Sequence, residues 1–436
     1  MTLLDLTPRA SVADALTGLP VAIIGAGPVG LAAAAHLAER GIAFEVLEAG
    51  ERVGAAIRRW GHTRLFSPWR YLIDPAARRL LEADGWEEPS LGRVPNGADL
   101  VGRYLEPLSR TAALDGRIRV GVTVTAVARR GMDRTRSAGR DTTPFVLRVR
   151  ESDGQVREIV ARAVIDASGT YTSPNPLSST GLTPLGSGAG DRIVHALPDV
   201  SGVDRALFAG RHTTVVGAGH SAANTLLALA DLAADDPETR VTWLIRNAAA
   251  ARVTSSEDDD LAYRAALGSK LDRLVAQGRV QKVDSFEISA VDACEAGVRL
   301  TGTRHGEAAT HVSDVVVNAT GFRPDLDMLR EIRLDLDDVV EAPRRLAPLI
   351  DPNLHSCGTV EPHGFGELTH PEKGFFIVGM KSYGRAPTFL LATGYEQVRS
   401  IAAWLDGDMR AATAVQLDLP ATGVCSTDIG GGTCCS

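Results

Sequence analysis

Residues 25–30 read Gly25-Ala26-Gly27-Pro28-Val29-Gly30, a full G-x-G-x-x-G set between an apolar run, Val21-Ala22-Ile23-Ile24, and a stretch of small helix formers from Leu31 to Ala38. Few folds accept that arrangement. The first glycine permits a tight turn, the second lets a diphosphate approach bare backbone, and the third lets helix and strand pack closely. The helix start then offers unpaired N–H groups and a partial positive charge to an anion. Glu48 stands 23 residues after Gly25, at the end of the next predicted strand, Phe44 to Leu47. A carboxylate there can accept both hydroxyls of a ribose. The expectation is a dinucleotide-binding unit with Gly25, Gly27, Pro28, Gly30 and Glu48 as its contacts.

A second unit of the same kind begins 192 residues later. The apolar run Thr213 to Val216 leads into Gly217-Ala218-Gly219-His220-Ser221-Ala222, a G-x-G-x-x-A, and a helix predicted to about Leu232. The next strand, Val241 to Ile245, carries no acid at its end but Arg246-Asn247. An arginine there suits a 2′-phosphate and favours NADPH over NADH; an ordinary surface arginine is the other reading. His220 and Ser221 are expected to line the diphosphate turn, with His220 a helix-start residue before it is a catalytic one.

Residues 98–114 read as an amphipathic helix. Residues 118–127, 145–150 and Ala163 to Asp166 read as strands, with a polar, arginine-rich loop at 129–143. The Pro/Ser/Gly-rich stretch 172–190 reads as a linker. Val315 to Val317 and Phe375 to Val378 are later strands, and a long helix covers about 387–405. The last fourteen residues, 423–436, read as a flexible tail. The order is one dinucleotide half, an inserted second one, and a return to the first.

A chain of 436 residues has room for two or three domains. Its net charge of -8 argues against nucleic acid as a partner, and no run approaches the roughly 18 apolar residues of a membrane span. The N-terminus lacks the order of segments of a signal peptide, so a cytosolic protein is expected. The expected partner is a small-molecule substrate, and a homodimer is compatible with this. Lysine is confined to Lys270, Lys282, Lys373 and Lys381. The five cysteines are Cys294, Cys357, Cys425, Cys434 and Cys435, an odd count that suggests free thiols, a redox pair or a soft-metal site.

Two further turns complete a family pattern. Asp166-Ala167-Ser168-Gly169-Thr170 and Asn318-Ala319-Thr320-Gly321-Phe322-Arg323-Pro324 are similar to the paired Ala-Thr-Gly-type turns of the two-dinucleotide-binding-domain flavoproteins. The resemblance implies an α/β protein of two Rossmann-like domains, the NADPH domain inserted into the FAD domain. The boundaries expected are 18–172 and 313–410 for FAD and 191–312 for NADPH. FAD and NADPH are the implied cofactors. Phe376-Ile377-Val378-Gly379-Met380 resembles the strand whose end reaches the flavin. Ser168, Gly169, Gly379, Thr388 and Phe389 then join the FAD contacts, and Thr320 and Gly321 the NADPH contacts.

Within that group the chain looks most like the class B flavin monooxygenases. Ser168 to Pro176 is similar to their domain crossover, while the stretch Gly190 to Asp199 keeps only a glycine and His195 of their signature. Phe66-Ser67-Pro68-Trp69, Leu349 to Asn353, His355 to Gly358, Gly379 to Thr388 and the cysteine-bearing tail resemble a subgroup associated with bacterial arsenic-resistance gene clusters. That resemblance implies NADPH-driven oxygenation of a small soft nucleophile, an arsenic or sulfur centre. Phe66, Ser67, Trp69, Tyr71, Cys357 and Arg385 are the pocket candidates; no single catalytic residue is identified, and core packing is the other reading of the aromatic group.

The alternatives are a reductase that passes electrons to a thiol or metalloid through tail cysteines, and a non-enzymatic sensor of metalloid or redox state. Residues 20–293 contain no cysteine, so a dithiol route must use Cys357 or the tail. Cys425, Cys434 and Cys435 could enclose a soft, three-coordinate ion, or they are incidental. The spacing of His355, Cys357, His363 and His370 does not match a structural zinc site and suggests a substrate-side loop or structural histidines.

Overall fold

The computed structural model describes residues 16–248, 262–351, 360, 362–386 and 389–417. Strand β1 (Val21–Ile24) is four buried apolar residues. Helix α1 (Pro28–Glu39) follows Gly27, with proline at its first position, where a missing N–H costs nothing. Its alanines Ala32 to Ala35 are wholly buried, which lets the helix lie close on the sheet. Strand β2 (Phe44–Glu48) returns parallel to β1, with Val21 opposite Phe44, and β3 (Ile118–Val120) extends the sheet. Strands β4 (Val122–Arg129), β5 (Phe145–Glu151) and β6 (Val156–Ala161) form an antiparallel sheet of their own. Strand β7 (Ala163–Asp166) then re-enters the first sheet beside β1.

The second unit starts with β8 (Ile193–His195), β9 (His212–Val216), helix α2 (His220–Asp235) and β10 (Arg240–Leu244). Helix α3 (Ala262–Ala276) leads to β11 (Gln281–Val283). Strands β12 (Phe286–Cys294), β13 (Gly297–Arg304) and β14 (Glu307–Ser313) form an antiparallel flap. Strand β15 (Val315–Asn318) completes the second parallel sheet, in the order β11-β10-β9-β15-β8. Strand β16 (Phe375–Ile377) restores the first sheet, β16-β7-β1-β2-β3, and helix α4 (Leu391–Asp406) shares one apolar core with α1.

Four expectations need correction. The inserted unit does not end at 312: β15 sits between β9 and β8, so the return to the first unit follows Asn318. The late helix begins at Leu391, so Arg385 and Phe389 precede it. The helix over 98–114 is Gly97–Leu100, a π-turn at Val101–Leu105, and Glu106–Ser109. Pro107 has no N–H for the carbonyl of Arg103, and the indole N–H of Trp86 donates to that oxygen instead, at 2.8 Å.

The fourth concerns 172–190, which is a strap and not a loose linker. Asn175 N donates to Gly321 O and Arg323 N to Ser173 O, pairing the outgoing crossover with the returning one. Further along, Ser179 N donates to Ile288 O and Leu185 N to Ser289 O, so the strap lies along β12.

A buried ion triad braces the first unit. Arg129 and Arg140 both donate to Glu372, at 2.7 Å each, and all three side chains are at most 3 % exposed. They join β4 and the 140–142 turn to the segment entering β16.

Candidate functional site

The first glycine loop is shaped by contacts that admit no side chain. Gly25 has φ of 99°, and a Cβ on it would lie 2.7 Å from the carbonyl oxygen of Ala167. A Cβ on Gly30 would lie 1.9 Å from Gly25 O. Gly27 differs: it is extended, caps α1 with no side-chain hydrogen bond, and has nothing within 4 Å of a would-be Cβ. Its open side is the approach that a diphosphate needs.

Glu48 ends β2, but its two oxygens hold the loop. Oε2 accepts from Ala26 N at 2.7 Å and Oε1 from Gly50 N at 2.8 Å. Burial pushes its carboxyl above the ordinary value, against these two N–H donors. A carboxylate accepts about four bonds, so capacity for a sugar hydroxyl remains.

The neighbouring strand ends close the cradle. Val378 N donates to Asp166 O at 2.9 Å. A Cβ on Gly379 would lie 3.3 Å from Val29, so this glycine is packed on the first turn of α1. Gly379 N donates to Gln397 Oε1 at 2.8 Å, and Gln397 Nε2 lies 2.9 Å from both Ser382 Oγ and His363 Nε2. Beneath the Asp166 turn lies a group that sequence reasoning missed. Lys381 Nζ donates to Asp166 Oδ2 at 2.7 Å and to Ser168 Oγ at 3.1 Å. Its clue was the scarcity of lysine; the 215 residues between the partners hid the pairing. Gly169 lies in open space in the same turn.

The second loop repeats the first. A Cβ on Gly217, whose φ is 138°, would lie 2.2 Å from Ala319 O, as Gly25 meets Ala167. Gly219 caps α2 in extended conformation with open space about it. Here the third position is Ala222, fully buried, and Trp243 Nε1 donates to Gly217 O at 2.7 Å. His220 and Ser221 are the first two residues of α2. Thr320 Oγ1 donates to Asn318 Oδ1 at 2.7 Å and lies 3.1 Å from Asn175 O, tying the turn to the crossover, and Gly321 accepts from Asn175 N. Arg246 is exposed beyond the end of β10, with Nη1 3.1 Å from Ser179 O of the strap.

The aromatic candidates divide. Phe66 reaches the second unit, its ring centroid 5.0 Å from that of His220, and packs on the second unit's core. Trp69, in contrast, has 0 % exposure within the first unit's core; it is packing, not pocket wall. Ser67 and Tyr71 flank it half-buried. Arg385 is exposed and pairs with Glu341 at 2.6 Å. Phe389 lies against the ring of Tyr383, at 5.1 Å.

Cys357, Thr388, Cys425, Cys434 and Cys435 lie outside the described residues, as does His355. Cys294 is half-buried at the end of β12. His363 and His370 are buried and turned to different partners, Gln397 and Asp335 N. Among the described residues no group of three or more His, Cys, Asp or Glu could hold a metal ion, and no helix is long and apolar enough to cross a membrane.

Two glycine-loop cradles, each on its own parallel sheet and joined by paired crossovers, define the flavoprotein oxidoreductase fold with a Rossmann-like NAD(P)-binding domain. Its cofactors are FAD and NAD(P)H. The open faces at Gly27 and Gly219, each at an uncapped helix start, fit their diphosphates.

The family model for pyridine nucleotide-disulphide oxidoreductases matches residues 145–353, and that for NAD(P)-binding Rossmann-like domains matches residues 23–82. Bacillithiol disulfide reductase Bdr (YpdA) from Bacillus cereus is similar in structure, with a TM-score of 0.66 at 21% identity over 89% of this chain and 99% of that one. Ornithine hydroxylase (PvdA) from Pseudomonas aeruginosa has a TM-score of 0.62 at 17% identity, over 90% and 99%. A flavin monooxygenase from Stenotrophomonas maltophilia has 0.56 at 22% identity, over 89% and 98%. At these identities the likeness is one of fold. No curated protein matches the chain in sequence.

Proposed function

We propose that the protein is an NADPH-dependent FAD monooxygenase that oxygenates a small soft nucleophile, a trivalent arsenic or a sulfur centre, in a detoxifying role. The observation that carries oxygenation over a thiol relay is the chemistry around the first cradle. Residues 20–293 contain no cysteine, and the described cysteine, Cys294, belongs to the antiparallel flap. The likeness to an ornithine hydroxylase and a flavin monooxygenase supports the same choice.

FAD would be held by the Gly25 loop, the start of α1, Glu48 and the Asp166 turn. NADPH would be held by the Gly217 loop, the start of α2 and, at its 2′-phosphate, Arg246. Held there, the two cofactors would supply the two reducing electrons by which one oxygen atom is added to the substrate lone pair and the other is released as water. The chain's own part is to position and to exclude solvent. The test is anaerobic reduction by NADPH followed by oxygen, with trivalent arsenicals or thioethers as substrates. Equal consumption of NADPH and oxygen, matched by oxygenated product, is expected. Turnover indifferent to oxygen overturns the reading.

The family model's description and the likeness to a bacillithiol disulfide reductase favour a second reading, a reductase passing electrons through the C-terminal cysteines. Replacing Cys434 and Cys435 by serine abolishes turnover under that reading and leaves oxygenation intact under the first.

A further inference from the structure

The two cradles share one turn geometry and differ in its charge. Asp166 stands opposite Ile24, the residue before Gly25, and Asn318 stands opposite Val216, the residue before Gly217. They are therefore the same position in the two units. Each side chain makes the same bond within its turn: Asp166 Oδ1 accepts from Ser168 N at 3.1 Å, and Asn318 Oδ1 accepts from Thr320 N at 3.3 Å. A neutral amide thus suffices to shape the turn.

The first unit nevertheless carries a carboxylate there, at 0 % exposure, matched by the Lys381 ammonium at 2 %. A buried ion pair gains little stability over apolar residues of the same volume, so stability alone does not account for it. Its location is informative. Ser168, whose hydroxyl meets Lys381 Nζ, is exposed, so the ammonium lies one side chain below the open surface of the cradle. The residue between, Ala167, presents its carbonyl to Gly25, the first glycine of the cradle's loop.

We propose that Asp166 and Lys381 form a balanced charge pair that sets the electrostatics of the first cradle, with Lys381 as the cation that offsets Asp166 beneath a bound flavin dinucleotide. This rests on the reading that the first cradle holds FAD. Unbalanced, Asp166 would oppose both the anionic diphosphate and the negative charge of the reduced ring; alone, Lys381 would favour both. A mere brace would predict no such asymmetry.

The test compares the FAD dissociation constant and the flavin midpoint potential of the wild type with those of Lys381→Met, Asp166→Asn and the double variant. Lys381→Met is expected to weaken FAD binding by roughly tenfold or more and to lower the potential. Asp166→Asn, whose turn Asn318 already demonstrates, is expected to bind FAD at least as tightly as wild type and to raise the potential. Each tenfold change in preference for reduced over oxidised flavin corresponds to about 30 mV for this two-electron couple. The double variant, a copy of the neutral second cradle, returns both quantities toward wild type.

If both single variants shift in the same direction, or the potential moves in neither, the proposal is overturned and the pair is a structural brace. Should Lys381→Met not fold, Asp166→Asn decides alone: a potential no higher than wild type overturns the proposal. A wild type that binds no FAD at all defeats the underlying functional reading instead, which keeps the two failures distinct.

Discussion

The ring of Phe66, on a loop of the first unit, lies 5.0 Å from the imidazole of His220, which opens the diphosphate helix of the second. That loop and the start of α2 therefore touch through an aromatic pair. Such pairs contribute about 0.5–1.5 kcal/mol beyond their buried area. Phe66→Ala is expected to slow flavin reduction by NADPH by about threefold to tenfold, with FAD content unchanged. Stopped-flow reduction checks this, and an unaltered rate contradicts it.

The glycines separate fold from cofactor. Gly217→Ala places a Cβ 2.2 Å from Ala319 O at a positive φ, a strain of about 1–3 kcal/mol or more. It should lower the melting temperature and abolish reduction by NADPH. Gly27→Ala meets nothing within 4 Å. It should leave the melting temperature of the cofactor-free protein unchanged and still weaken FAD binding, read from the yellow chromophore on purification. Equal loss of stability in both variants would contradict the assignment of Gly27 to the open face.

Under the proposed function, Arg246 meets the 2′-phosphate and so selects between the nicotinamide cofactors. A hydrogen bond to a charged group contributes about 1.5–3 kcal/mol. Arg246→Ala should therefore raise the KM for NADPH by roughly tenfold or more while leaving that for NADH near its original value. Parallel losses for both dinucleotides would remove the 2′-phosphate role.

Two histidines make the fold acid-sensitive. Burial, reinforced by the nearby His212, pushes His311 down to about 4, and burial brings His370 to about 4 as well. In the unfolded chain both titrate near about 6.5. As pH falls, the unfolded state takes up these protons first. The stability they hold is whole above about 6.5 and is lost progressively between about 6.5 and about 4. The urea midpoint should fall between pH 7.5 and pH 5, and His311→Gln should flatten part of that fall. A midpoint that holds constant over this window contradicts the assignment.

What the sequence determined by itself is local. Gly25 and Gly217 were legible because a strand, a left-handed turn and a helix start are neighbours along the chain, and the backbone demands glycine there whatever lies elsewhere. The places of Glu48 and Arg246 at their strand ends were legible for the same reason, each one strand further on. Tertiary structure decided everything that depends on distant segments meeting. Trp69 and Phe66 stand in one tetrapeptide, yet one is sealed in the first core and the other reaches His220. Val315 to Asn318 carries no local mark of which sheet it joins, and its neighbours β9 and β8 place it in the second. The pairing of Lys381 with Asp166 has no periodicity to betray it: a buried charge is tolerable only beside its partner, and only the fold brings that partner near.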